Sequence, residues 1–235
     1  NQTSMGKLYE KLIQDYRIKE GLKACINCGT CTAICPAAEF YQYNPKNIVN
    51  IVQSQDDAKI EELLKGEQIW YCGECMSCVT RCPRRNAPGL VVMALRSLSI
   101  DLGFFVESEK GRQMLPLVHR MQSNILNYGY CVYPRTFLYK DHPEYGLTGK
   151  WVNENMEDVY ERLGANLEGK GPGILRKIPD ESLAELKAIF DETGATRRME
   201  IIEEASKRKA KEMGLPYDEY ERKAFEDTEK DHLNH

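Results

Sequence analysis

Eight of the nine cysteines in this chain repeat one spacing. Cys25, Cys28, Cys31 and Cys35 are followed by Pro36, and Cys72, Cys75, Cys78 and Cys82 by Pro83, so both runs read C-x2-C-x2-C-x3-C-P at an offset of 47 residues. Thiolates are soft ligands, and three of them at intervals of three can take three corners of an Fe4S4 cube while the fourth lies further on, before a proline. Two such runs imply two [4Fe–4S] clusters, and with them one-electron chemistry. Zinc is the competing metal, but structural zinc sites usually draw on two separated C-x2-C pairs around a tetrahedron. A disulfide scaffold would also use an even number of cysteines. A chain of 235 residues, 42% hydrophobic, can build its core without one.

Nothing else in the chain has a spacing suited to chemistry. His119, His142, His232 and His235 form no ligand pattern and pair with no nucleophile. There is no glycine-rich phosphate loop and no paired carboxylate constellation, so no catalytic residue is expected. The formal charge of −4 is mixed along the chain, which disfavours a nucleic-acid partner. Charges interrupt Leu8 to Glu20, so no secretory apolar segment precedes the first motif. The longest apolar run, Leu90 to Leu95, falls far short of the roughly 20 residues of a membrane helix. A soluble, cytoplasmic protein without a membrane span is expected. The ninth cysteine, Cys131, reads as a small buried hydrophobe. Asn1 to Ser4 read as a trimmed or disordered start.

The elements that must position the cysteines read as helices. Leu8, Leu12 and Ile13 predict one amphipathic helix over Met5–Lys19, stopped by Gly21. Between the motifs, Asn44-Pro45 is an N-cap followed by proline, with Ile48, Ile51 and Val52 on one face. Ile60, Leu63 and Leu64 repeat the pattern before Gly66. From Pro88, an apolar face runs through Val91, Ala94, Leu95, Leu98, Leu102 and Phe105. Glu107 to Asn127 continues as helix, kinked or restarted at Pro116. Tyr128 to Pro179 is rich in glycine and proline and reads as loop, with a short helix near Met156–Leu163. Its many aromatic residues, Phe137 among them, predict packing on something. Asp180 should cap a helix bearing Leu183, Leu186 and Phe190. A second helix follows to Met213, and then a third with Tyr217, Tyr220 and Ala224. Their stripes are narrow enough for a loosely fitting tail or for an arm docking on a neighbouring protein. Thr228 to His235 should fray.

Small residues around the first run (Asn27, Gly29, Thr30, Thr32, Ala33) would let backbone N–H groups approach sulfur. Trp70, Tyr71, Met76 and Val79 would keep water from the second. Arg81, Arg84 and Arg85 surround the last cysteine. They fit stabilisation of added electron density, an acidic partner surface, or a solvated basic loop. Two-cluster ferredoxins share the spacing, and in them the fourth cysteine of each run serves the other cluster. Carried over, that arrangement assigns Cys25, Cys28, Cys31 and Cys82 to one cluster and Cys72, Cys75, Cys78 and Cys35 to the other. One run per cluster is the simpler alternative.

The two cysteine runs, Cys-Ile-Asn-Cys-Gly-Thr-Cys-Thr-Ala-Ile-Cys-Pro and Cys-Gly-Glu-Cys-Met-Ser-Cys-Val-Thr-Arg-Cys-Pro, are separated by a helical spacer and followed by a long helix. Over about residues 20 to 105 this combination resembles the iron–sulfur C subunit of heterodisulfide reductase. The resemblance implies an α-helical ferredoxin fold with two [4Fe–4S] clusters, and with the chain's own pattern it predicts an all-α chain: the ferredoxin domain over 1–127, a loop-rich segment over 128–179 and a charged helical extension over 180–235. It also implies electron transfer between two partner proteins of a heterodisulfide reductase-like complex, one bearing flavin and iron–sulfur centres and the other cysteine-rich and catalytic. The length beyond Phe105 looks more like the corresponding subunit in sulfur-oxidising prokaryotes, in whose complexes a lipoate-binding carrier protein delivers the sulfur substrate. The alternatives are an iron–sulfur subunit of a flavin dehydrogenase feeding a membrane quinone pool, and a free-standing ferredoxin. No Cys-Cys pair occurs, so any cysteine-rich catalytic module would be on another chain.

Overall fold

A computed structural model describes residues 7–136, 138, 139 and 145–232, with only the backbone of 225–232. Every regular element among them is helical, as the apolar periodicity implies. None of these helices is long and apolar enough to cross a membrane. The described residues up to 113, together with those from 201 onward, form one compact unit; those from 114 to 200 form another. Packing and composition therefore divide the chain differently.

The first unit opens with two short helices, α1 (Lys7–Leu12) and α2 (Tyr16–Gly21), in place of the single one predicted. Asp15 is the reason. Its carboxylate accepts the Arg17 N–H at 2.9 Å and starts a new helix. The N-terminus of α1 is capped from a distance: Asp57 accepts the N–H groups of Leu8 and Tyr9 at 3.1 and 3.0 Å. Asp57→Ala is expected to cost about 1 kcal/mol, the usual worth of a cap. That loss would lower the melting temperature of the anaerobic, cluster-loaded protein by a few degrees. An unchanged melt would mean that water serves those donors equally well.

The first cysteine run contains α3 (Thr30–Ala33), and α4 (Ala37–Phe40) follows it. The spacer forms α5 (Pro45–Gln53) and α6 (Asp57–Lys65) as predicted. Asn44 caps α5 through the Asn47 N–H at 3.1 Å, and Asp56 caps α6. A 3-10 turn at Gln68–Trp70 leads to the second run and α7 (Ser77–Thr80). The central element is α8 (Pro88–Asp101). Val91, Val92, Ala94 and Leu95 are buried on several of its sides, and α2, α5 and α6 pack around it. It ends four residues before Phe105, because Leu102 and Gly103 turn the chain, the glycine at φ +69°. Phe105 still reaches the core, from a 3-10 turn over Phe104–Glu107. Helix α9 (Glu109–Arg112) follows, with Ser108 accepting the Gly111 N–H.

In the second unit, α10 (Met114–Leu117) carries Pro116 in its third position. The helical ladder then widens into a π turn over Val118–Gln122 and closes again as α11 (Ser123–Tyr128). The segment read as loop has more structure than its glycines imply. It holds α12 (Gly146–Glu154) as well as the predicted α13 (Met156–Arg162). Part of its aromatic content does pack. Tyr133 is buried and stacks on Tyr128 with ring centroids 4.0 Å apart, whereas Tyr145 and Trp151 stay exposed. Phe137 lies outside the described residues. Asp180 does not cap its helix. It is the first residue of α14 (Asp180–Glu192), behind Pro179, and pairs with Lys177 at 3.6 Å.

Helices α15 (Ala195–Glu212) and α16 (Tyr217–His232) overturn the picture of a loose tail. Ile202, Ala205, Ser206, Ala210, Tyr220 and Ala224 are buried in the first unit, where α16 packs on α9. Lys209 bonds Glu107 at 2.6 Å, and a side chain at Gly103 would press on Arg208 and Ala205. The narrow stripes suffice because small residues let these helices lie close to the unit. Helix α16 continues to His232, beyond the expected start of fraying; Asn1–Ser4 lie outside the described residues.

Candidate metal centre

The repeat in the sequence is a repeat in the backbone. In the first run Asn27 and Gly29 have positive φ, 61° and 79°; in the second, Glu74 and Met76 do, at 54° and 58°. These pairs lie at the same offset of 47. Helices α3 and α7 are copies at that offset and pack on each other. Even the hydroxyls correspond. Thr30 Oγ1 lies 3.4 Å from Cys28 Sγ, and Ser77 Oγ 3.4 Å from Cys75 Sγ. Each hydroxyl stabilises the thiolate and draws that middle cysteine below its ordinary pKa. Burial instead pushes the third cysteines, Cys31 and Cys78, up. Met76 takes a left-handed conformation at the position where the first run uses glycine. That costs on the order of 1 kcal/mol of backbone strain, held in place by its surroundings.

The eight cysteines line two depressions. Cys25, Cys28, Cys31 and Cys82 line one; Cys35, Cys72, Cys75 and Cys78 line the other. Among the described residues, no three His, Cys, Asp or Glu converge closely enough for a single ion. The sulfurs line the walls of the two depressions, and backbone donors reach them. Asn27 N–H donates to Cys25 Sγ at 3.4 Å and Asn86 N–H to Cys82 Sγ at 3.3 Å. At α8, Ala87 supplies no side-chain cap, Pro88 has no N–H, and the free Gly89 N–H turns to Cys78. The positive end of a 14-residue helix therefore faces sulfur. Four thiol donors per depression, with N–H groups and hydroxyls turned toward them, suit an anionic thiolate-ligated cluster.

Different elements hold the two loops. Amides on and beside α5 hold the first: Asn50 Nδ2 donates to Asn27 Oδ1 at 3.0 Å, Thr32 Oγ1 to Asn44 Oδ1 at 2.8 Å, and Gln53 Nε2 to Lys23 O at 3.0 Å. Buried Asn86 ties the two runs together. Its Oδ1 accepts the Lys23 N–H at 2.6 Å while its own N–H serves Cys82. Arg96 holds the second loop. Its guanidinium donates to Ile69 O, Cys72 O and Glu74 Oε1, each at 2.6 Å, and lies over the Trp70 ring. By periodicity Arg96 is only a polar residue off the apolar face of α8, and nothing in its spacing marks it as a clamp.

An aromatic group stands beside the second depression. Tyr41 and Tyr71 stack at 4.3 Å, Tyr43 meets Tyr71 edge-on, and Lys110 lies over the rings of Tyr41 and Tyr71. Buried Tyr43 has its hydroxyl pKa raised, first by burial and then by the neighbouring Cys72. The spacer tyrosines have no periodicity that would predict this contact. Cys131 is exposed rather than buried, because its Tyr-Cys-Val stretch lies at the surface of the second unit. His119 lies within the π turn and belongs to no candidate ligand cluster among the described residues.

Comparison with known proteins locates this geometry. Residues 21–86 match a family described as a 4Fe-4S dicluster domain. Over 87 residues the chain is 47% identical to the C subunit of ferredoxin:CoB-CoM heterodisulfide reductase from Methanosarcina acetivorans. That match takes in 37% of this chain and only 34% of that relative's length. An iron-sulfur C subunit of CoB--CoM heterodisulfide reductase from Methanocaldococcus jannaschii is 28% identical over 63% of this chain and 76% of its own. The Methanosarcina mazei counterpart is 27% identical over 74% and 89%. The chain is thus similar to proteins named as the C subunit of heterodisulfide reductase, and its residues 21–86 match the 4Fe-4S dicluster domain.

Proposed function

We propose that this chain is the iron–sulfur electron-transfer subunit of a heterodisulfide reductase-type complex and holds two [4Fe–4S] clusters. The observation that carries the reading is the pair of four-cysteine depressions built by one duplicated loop. Their membership supports crossed ligand sets: Cys25, Cys28, Cys31 and Cys82 for one cluster; Cys72, Cys75, Cys78 and Cys35 for the other. A bound [4Fe–4S] cluster supplies a reversible one-electron carrier. The chain's own residues do the rest. The cysteines anchor, Thr30 and Ser77 favour the thiolate at the middle ligands, and the N–H groups of Asn27, Gly89 and Asn86 offset negative charge on sulfur. Phe40, Tyr43 and Tyr71 shield the second site from water.

No histidine or carboxylate lines either depression, and we assign substrate chemistry to neighbouring proteins of the complex: one bearing flavin and iron–sulfur centres on one side, and a cysteine-rich catalytic one on the other. The setting is the cytoplasm, where thiols stay reduced. Oxidation of a sulfur compound carried on a lipoate-binding protein is the finer form of the proposal, carried over from the resemblance to the subunit of sulfur-oxidising prokaryotes. Anaerobically purified protein should contain about eight irons per chain, and both clusters should accept an electron from dithionite. About four irons would remove one site. Co-purification with a flavoprotein and a Cys-Cys-Gly protein tests the partners, and a lipoate-bearing protein among them tests the sulfur-oxidising form.

A further inference from the structure

The duplicated loop is its own control. Whatever cluster binding demands of one copy it demands of the other, and up to the fourth cysteine the left-handed positions (Asn27 and Gly29, Glu74 and Met76), the helices α3 and α7, and the hydroxyls of Thr30 and Ser77 correspond. The positive charges do not. Arg81, Arg84 and Arg85 stand where the first copy has Ile34, Ala37 and Ala38. Holding a cluster requires no arginine there. Neutralising an anionic cluster would call for cations at both sites. The depression of Cys72, Cys75 and Cys78 is lined by Ala37, Phe40, Tyr43, Tyr71 and Met76, with no cation.

All three arginines are exposed. Arg84 and Lys46 line the depression of Cys25, Cys28, Cys31 and Cys82, where Cys28 is exposed and Ile26 is 58% exposed. Arg84 Nε makes only a long bond to Ala24 O, 3.4 Å, and none of the four cations forms an ion pair among the described residues. A hydrophobic residue and an exposed sulfur, with Lys46 and Arg84 in the lining and exposed Arg81 and Arg85 next to Cys82 and Arg84 in the chain, form a charge-selective mouth on a chain of net charge −4.

We propose that this mouth, the Cys25–Cys28–Cys31–Cys82 site lined by Lys46 and Arg84 and extended along the chain by exposed Arg81 and Arg85, docks the acidic face of a protein that exchanges electrons with this chain. The second site, whose lining holds no cation, is left to a different partner. The inference rests on the electron-transfer reading. It requires like charge to repel, opposite charge to attract, and salt to weaken the encounter.

The test is stopped-flow reduction of the cluster-loaded chain by photoreduced flavodoxin, a strongly acidic one-electron protein, across a range of ionic strength. The rate constant should fall by about tenfold or more from low to high salt, the lower end of known steering effects. The triple replacement Arg81→Glu, Arg84→Glu, Arg85→Glu should lower the low-salt rate at least as much, with iron content and the dithionite-reduced EPR spectrum unchanged. If that variant loses its iron, the salt dependence of the unaltered chain decides. Failure of dithionite to reduce either cluster would defeat the electron-transfer reading itself. Reduction by dithionite together with a flavodoxin rate indifferent to salt and charge reversal would overturn only the docking surface. Tight, salt-resistant binding of single-stranded RNA that blocks flavodoxin would also overturn it, in favour of a nucleic-acid site.

Discussion

Replacing Cys35 with serine is expected to empty the site at Cys72, Cys75 and Cys78 and spare the one at Cys25, Cys28 and Cys31, although Cys35 belongs to the first run. The expectation follows from what α3 and α4 do to the chain. Cys31 lies inside α3 and faces its own depression. Cys35 follows the helix, its N–H bonded to Thr32 O at 3.2 Å, and Pro36 turns the backbone into α4, so that its side chain lines the other depression. A serine hydroxyl is a hard, weakly acidic ligand and a poor substitute for thiolate. Iron should fall from about eight per chain to about four. The EPR signal that survives should be the one that Cys28→Ser perturbs. Cys82→Ser should give the mirror image, losing the site at Cys25, Cys28 and Cys31. If Cys35→Ser abolishes the signal that Cys28→Ser perturbs and leaves the other, each run serves its own cluster.

The way each depression draws its fourth cysteine from the other run shows which parts of this molecule the sequence makes legible. Spacing of identical residue types is chemistry with a short range, and it identifies the cysteines and the helices between them. Asn44-Pro45 and Gly66 mark their helix ends because capping is decided within four residues. Features that depend on distant partners do not show. Asp57 caps α1 from 48 and 49 residues away, Tyr43 meets Cys72 from the spacer, and the stripe of Ile202, Ala205 and Ala210 is narrow only until its neighbours are seen. Local signals also mislead where two compete. Asp15 reads as one polar residue in an amphipathic helix, yet as a cap it breaks that helix in two. Gly146 and Gly149 read as breakers, but one starts α12 and the other is carried inside it. A glycine costs a helix only about 1 kcal/mol, too little to serve as a sure breaker.

Arg96 is the largest effect that the pattern of α8 conceals. Three donors of one guanidinium reach Ile69 O, Cys72 O and Glu74, and the group is 18% exposed. Removing it leaves two carbonyls with no donor at that site and frees the loop that aims Cys72 and Cys75. Hydrogen bonds to a charged group contribute about 1.5–3 kcal/mol each, less what water restores, so Arg96→Ala should destabilise the domain by about 3 kcal/mol. The informative variant is Arg96→Lys. It keeps the charge, but an ammonium on a flexible stem cannot span three acceptors as a planar fork does. If the fork matters, lysine should recover little. Under anaerobic challenge with an iron chelator, both variants should then lose iron from the Cys72–Cys75–Cys78 site first, while the site held by Asn44, Asn50 and Gln53 of the α5 region keeps its cluster at the unaltered rate. Equal loss from both sites would show that Arg96 acts on the whole core rather than on its loop, and full recovery by lysine would show that its charge alone suffices.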